Sequence, residues 1–164
     1  MASMREIKRR KSSVQSTQQI TKAMKLISTV KLQKARMRAE NSKAYFECMY
    51  STVTSMLAKA GNIEHPYLKA GDSKKVGIVA VTSNRGLAGG YNSNIVKLIT
   101  ESGIAKEDVR LYLVGRKGAE SLVRKGYDVA LDCSDMIEEP TYADAQALSK
   151  RLLTDFANGE IGEI

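Results

Sequence analysis

The spacing of apolar residues changes character once along this chain. From Met4 to Ala60 they form a thin helical line: Ile7, Val14, Ile20, Met24 and Ile27 recur at steps of 7, 6, 4 and 3, a seam wide enough for one helix partner and too narrow for a globular core. Ser13 and Thr17 dilute it, and Lys31 stands where the next seam residue should fall, which argues against a symmetric zipper. Tyr45, Met49, Val53, Met56 and Ala60 restore the stripe, broadened by Phe46, Tyr50 and Leu57. No glycine or proline occurs between Met1 and Ala60, and most positions hold residues that lose little on entering a helix. The pattern predicts one continuous helix, with Ser3 as N-cap and Glu6 as its capping-box partner. Gly61, Asn62 and then His65-Pro66 end it. At about 1.5 Å per residue such a rod is roughly 85 Å long. No second long helix follows, so the seam needs another chain, or a continuation of this one, as companion.

From Lys74 the pattern becomes short apolar runs alternating with helical ones. Val76 to Val81 reads as strand, a glycine-bearing turn follows, and Ile95, Leu98 and Ile99 are spaced as a helix, with Asn92 or Ser93 near its cap. Val109 to Val114, with Gly115 and Gly118 in the turn and Ala119 to Lys125 as helix, repeats the unit. A third strand from Tyr127 to Leu131 leads through an acidic loop containing Pro140 to a helix from Tyr142 to about Ala157. Strand and helix in alternation imply a parallel sheet with right-handed crossovers. The fold class is therefore α/β: a long N-terminal helix, one half of a coiled coil, followed by a partial Rossmann-like parallel domain. The expected boundaries are 1–60 for the arm, 61–75 for a linker and 76–164 for the α/β domain. After the last helix only "NGEIGEI" remains, so the sheet is expected to stop where its next strand should begin.

Charge sharpens the division. The formal charge of +8 is concentrated in residues 1 to 60, with thirteen Lys/Arg against three Asp/Glu, while the rest holds thirteen against fifteen. The arm is thus the basic partner surface. Nucleic acid is a weak reading, because no helix-turn-helix break and no aromatic stacking platform accompany Lys22, Lys25, Lys31, Lys34, Arg36 and Arg38. Membrane insertion is equally weak: the apolar face lacks Trp, and no run approaches the ~20 apolar residues of a spanning helix. An acidic protein partner fits better.

Candidate chemistry is sparse. "TSNRGLAGGYN", Thr82 to Asn92, lies where dinucleotide-binding folds put their phosphate loop, but Gly86, Gly89 and Gly90 do not make G-x-G-x-x-G, no G-K-[ST] follows, and Gly115-Arg116 stands where a ribose-binding acid belongs. Two readings account for it better: glycines that permit a tight turn into a helix, and a turn that offers Arg85, Leu87 and Tyr91 to a partner. His65, the only histidine, sits beside Pro66, and Ser83 has no histidine to activate it. Asp132, Asp135, Glu138 and Glu139 read as a solvated acidic loop. Cys48 and Cys133 read as two packed thiols. No cofactor and no catalytic or metal-binding residue is expected; the runner-up function is a small nucleotide-binding α/β domain with a coiled-coil arm.

"REIKRRKSSVQSTQQ", then "ITKAMKLISTVKLQKAR", then "TSNRGLAGGYN" in an α/β domain, closely resembles the γ subunit family of bacterial-type rotary ATP synthases, across all 164 residues. The resemblance implies a noncatalytic central-stalk rotor that couples ion-driven rotation of the membrane ring to ATP synthesis or hydrolysis at the β subunits. It implies a longer chain whose C-terminal helix winds antiparallel against the seam Ile7, Val14, Ile20, Met24 and Ile27. The implied partners are the α and β subunits, the ε subunit and the membrane c-ring, at the cytoplasmic face of the cell membrane, peripherally and without direct insertion. Met24 and Lys25, together with Arg85, Gly86, Leu87, Ala88, Gly89 and Gly90, resemble the segments facing the acidic lever of β. Where many members carry cysteine before the paired glycines this chain has Ala88, so thiol chemistry is not expected there.

Overall fold

The computed structural model describes residues 3–61, 63–69 and 71–164; Asn62, expected in the stop signal, and Met1, the first residue of the expected arm, lie outside them. The chain divides into two compact units, Met1–Asn62 and Ile63–Ile164.

The first unit is a single helix, α1, Met4–Lys59. Ser3 caps it, but its hydroxyl accepts from Arg5 N (3.3 Å) and the reciprocal bond from Glu6 is not made, so the expected capping box is corrected to a simple cap. At the other end Ala60 N donates to Met56 O, and Gly61 turns left-handed at φ +64°, a conformation that glycine enters without a Cβ clash. Side-chain hydroxyls are absorbed locally: Thr17, Thr21, Thr29, Thr52 and Thr54 each donate to the carbonyl four residues back. No residue of α1 is buried. The helix is held by propensity and its own hydrogen bonds.

The second unit is a three-stranded parallel sheet in the order β1-β2-β3, with β1 at Val76–Val81, β2 at Val109–Val114 and β3 at Asp128–Asp132. Helices α2 (Tyr91–Thr100), α3 (Arg116–Arg124) and α4 (Tyr142–Ala157) follow the strands. This is the α/β arrangement expected, with β3 one residue later than its pattern. The central strand β2 is the reason for two cores. Its alternate residues Val109, Leu111 and Leu113 pack with Ala80, Val96, Ile99, Ala119 and Leu122 under α2 and α3, while Tyr112 points the other way to Leu152 of α4 and Ile161. A bulge between Leu111 and Tyr112 lets Val129 serve the first core and both Ala130 and Leu131 the second.

The end of the unit departs from expectation. The sheet does not simply stop after α4: Glu163 bridges Val76 in parallel, Gly77 N donates to Glu163 O (2.8 Å), and Gly162 N donates to Lys75 O (2.8 Å). Ile161 is fully buried beside Tyr112. Gly77 is what makes room for it, because a Cβ there would lie 2.6 Å from Ile161 Cδ1. The last residues of "NGEIGEI" thus lie along the free edge of β1.

Gly118, expected in a turn, lies inside α3, where a Cβ would stand 2.6 Å from Thr82 Cγ2. Gly115 precedes it at φ +109° and lies against the Thr82 carbonyl. Both glycines let the start of α3 close on the end of β1, where buried Thr82 Oγ1 donates to Gly115 O and accepts from Gly118 N, each at 2.9 Å.

Candidate partner-contact surfaces

Met24 and Lys25 lie in the middle of α1, both exposed. Successive helical residues are about 100° apart, so Met24 shares a side with Ile20 and Ile27 while Lys25 points about a third of a turn away. Ile7, Val14, Ile20, Met24 and Ile27 are all exposed, from 46% at Met24 to 63% at Val14. The helix therefore presents a line of uncovered apolar side chains bordered by cations. Within α1 only Arg36 and Lys43 have a carboxylate in reach, Glu40 at 2.7 Å and Glu47 at 3.6 Å. The remaining eleven of the thirteen Lys/Arg have none within 4 Å inside the helix.

Arg85 to Gly90 occupy the turn between β1 and α2, at the carboxyl end of the sheet. Gly86 and Gly89 have nothing within 4 Å of the position a Cβ would take. Leu87 is 91% exposed and adopts φ +64°, the only non-glycine residue with positive φ among those described. That backbone costs an L-residue roughly 1 kcal/mol, and the apolar side chain gains nothing from its position within this unit. Arg85 is exposed with Glu138 at 3.6 Å, and Ala88 and Gly90 complete the tip.

Asn92 lies near the α2 cap as expected, at the second residue of the helix, and its side chain acts as a clamp. The N-cap is Gly90, without a side-chain bond, and Asn92 Oδ1 turns back to accept from Ser83 N (3.0 Å). Asn84 was not singled out by its pattern, yet its amide spans three segments, donating to Ser134 O (2.8 Å) and accepting from Arg116 N (3.0 Å). Only the proximity of an Asn to a glycine turn hinted at it.

The thiols differ from the expectation of two packed cysteines: Cys48 is exposed on α1, and Cys133 is half-buried. Burial, helped by Asp132 and Asp144, pushes the Cys133 thiol up. His65 Nδ1 accepts from Tyr67 N (3.2 Å) and starts a short turn at Pro66–Leu68.

A polar cluster under α4 went unseen in the sequence. Tyr112 Oη donates to Asp155 Oδ2 (2.6 Å), Arg151 donates to the same carboxylate (3.0 Å), and Arg110 donates to Glu160 with Asp128 and Asp155 each at 4.0 Å. Burial first, then the hydrogen bond to Asp155, drives the Tyr112 phenol well up. Burial works to raise Asp155, but the bonds from Tyr112 and Arg151 and the positive charges of Arg151 and Arg110 outweigh it and leave the carboxyl below its ordinary range. The bond to Glu160 chiefly raises Arg110. Buried Arg110 Nε is left without a hydrogen-bond partner, and the remaining contacts of the cluster fasten α4 and the Glu160 segment to the sheet.

The described residues thus combine a long, cationic, uncovered helix with a small parallel α/β unit that carries an exposed glycine turn. A family model described as ATP synthase matches residues 3–164. Among curated relatives, the ATP synthase gamma chain of Lachnoclostridium phytofermentans is 62% identical over 164 residues, covering 100% of this chain and 56% of the relative. That of Alkaliphilus metalliredigens is 37% identical over 147 residues, 90% of this chain and 51% of the relative. The sodium ion specific ATP synthase gamma chain of Acetobacterium woodii is 35% identical over 161 residues, 98% of this chain and 53% of the relative. The chain belongs to the ATP synthase family, and within it to the gamma chains. It spans a little over half the length of these relatives.

Proposed function

We propose that the chain serves as the central-stalk rotor of an ATP synthase, coupling ion-driven rotation of a membrane ring to ATP synthesis or hydrolysis at the β subunits while carrying out no catalysis itself. The observation that supports this most is α1: fifty-six residues of helix without one buried side chain, in a chain whose gamma-chain relatives extend well beyond it. The seam Ile7, Val14, Ile20, Met24 and Ile27 faces the antiparallel C-terminal helix of the longer protein. The basic sides turn inside the ring of α and β subunits, with Met24, Lys25 and the Arg85–Gly90 turn meeting the acidic lever of β. The α/β unit forms the foot on ε and the c-ring, at the cytoplasmic face and peripheral to the membrane. No helix among the described residues is long and apolar enough to cross a membrane.

The physical logic is that a rotor passing equivalent partners must avoid deep knobs, which create barriers between positions. Flexible cations on a helix attract acidic partners without interlocking. Two measurements test the reading. The chain should co-purify with the β and ε subunits, and calorimetry should find no micromolar ATP binding to the isolated chain. Micromolar ATP binding would count decisively against a noncatalytic rotor.

A further inference from the structure

The turn after β1 combines a bare tip with an unusually tied root. We propose that Asn84 is a positioning residue for partner recognition: its amide ties the root of the Arg85–Gly90 turn to the segments leaving β2 and β3, so that Arg85 and Leu87 meet an acidic partner already in place. This rests on the reading of the turn as a contact.

Three segments meet at one side chain. Asn84 Nδ2 donates to Ser134 O, two residues beyond β3 (2.8 Å), and Oδ1 accepts from Arg116 N, the first residue of α3 (3.0 Å). The task needs a donor and an acceptor on one short planar group, which an asparagine has and an aspartate or leucine lacks. Ser83, one residue earlier, is fixed independently. Its amide donates to Asn92 Oδ1 (3.0 Å), its hydroxyl accepts from Asn92 Nδ2 (2.8 Å) and donates to Arg85 O (2.6 Å), and its carbonyl accepts from Lys117 N (3.0 Å). Tyr91 Oη closes the far side on Val81 O (2.8 Å). Beyond these ties the tip keeps only the exposed pair of Arg85 with Glu138 (3.6 Å), and nothing lies near Gly86 or Gly89. Ordering a loop at each encounter weakens association; a loop ordered in advance avoids that loss. The Asn84 amide and the Ser83 carbonyl are the ties that reach beyond the turn's own residues, and of the two only Asn84 spans both the β2 and the β3 exits, fixing the turn's direction relative to the sheet.

The test uses Asn84→Ala and Asn84→Asp in the 164-residue chain. In the free chain, 15N relaxation should show residues 85–90 as ordered as the helices in the parent, and order parameters falling below about 0.6 in Asn84→Ala. Asn84→Asp, which keeps the acceptor for Arg116 N and loses the donor, should fall between. Binding to the isolated β subunit should weaken about tenfold in Asn84→Ala. That loss should vanish in an Arg85→Ala/Leu87→Ala background, which a merely structural role would not produce. A turn that stays rigid in Asn84→Ala, or a loss that persists in that background, overturns the proposal alone. Unchanged β-subunit binding by Arg85→Ala/Leu87→Ala overturns the contact reading and this proposal with it.

Discussion

Ile20 and Ile161 are the same side chain in opposite circumstances: one is 59% exposed on α1, the other has no exposed surface beneath α4. The first contributes nothing to the stability of its own unit, and the second closes a core. The comparison separates two ways of making structure. In α1, composition alone sustains the helix, so apolar residues are available to a partner. In the α/β unit, elements of nine or ten residues, such as α2 and α3, are too short to persist alone and form only because the sheet holds them.

The largest effect expected from that contrast is in the core. Leu111→Ala removes a side chain with no exposed surface from the central strand and should cost about 2–5 kcal/mol in urea unfolding of the α/β unit. Ile20→Ala should stay within about 0.5 kcal/mol in the isolated chain. Equal costs would show α1 to be packed. Glycines sharpen the same contrast. Gly115→Ala would place a Cβ 2.0 Å from Thr82 O at φ +109° and should destabilise by at least about 3 kcal/mol. Gly89→Ala, at φ +58° with open space around it, should cost about 1 kcal/mol from the backbone alone. Thermal unfolding of the two variants side by side checks both.

These differences also govern what could be read from the sequence. α1 was legible from end to end, because an unbroken run of helix formers with caps is a local signal. β2 coincided with its apolar run because a strand buried on both faces is nearly uniformly apolar, and β1 reads the same way although Val79 and Val81 are exposed on its outer face. Long-range geometry left weaker traces. The Asn84 clamp joins residues 50 positions apart, and nothing near Asn84 in the chain announces Ser134. Gly118 read as a turn because its reason is Thr82, a neighbour only in space. The segment after α4 looked like an ending because two residues of backbone pairing make no period that a pattern can register. The seam and the contact residues came from helical spacing together with family resemblance, and the exposure of both is compatible with partners without naming them.

The polar cluster gives the next effect, and it depends on pH. Tyr112 has its folded-state pKa raised, so its contribution is complete below the ordinary tyrosine value of about 10 and is lost as pH rises above it. Asp155 is lowered, so its contribution is complete above the ordinary Asp range and fades as pH falls through it toward the folded value. Tyr112→Phe should cost about 1–2 kcal/mol at neutral pH by depriving Asp155 of a donor. It should also flatten the alkaline limb of a stability profile measured between pH 8 and 11. An alkaline limb unchanged in Tyr112→Phe would assign it to another group.

The smallest effect on folding should come from Lys25→Glu, and that smallness is the point. Lys25 has no carboxylate within 4 Å inside α1, and the Thr29 hydroxyl bonds its backbone carbonyl, which the substitution leaves in place. The new carboxylate would sit three residues from Lys22, a mildly favourable pair. Helix content and unfolding should therefore move by no more than about 0.5 kcal/mol. Against an acidic lever the same reversal replaces attraction by repulsion, and binding to the β subunit should weaken about tenfold or more, most strongly at low salt. Measuring both in one preparation separates a cation turned toward a partner from one that supports the helix. Equal losses in folding and binding would move Lys25 from the outer side of α1 to its seam.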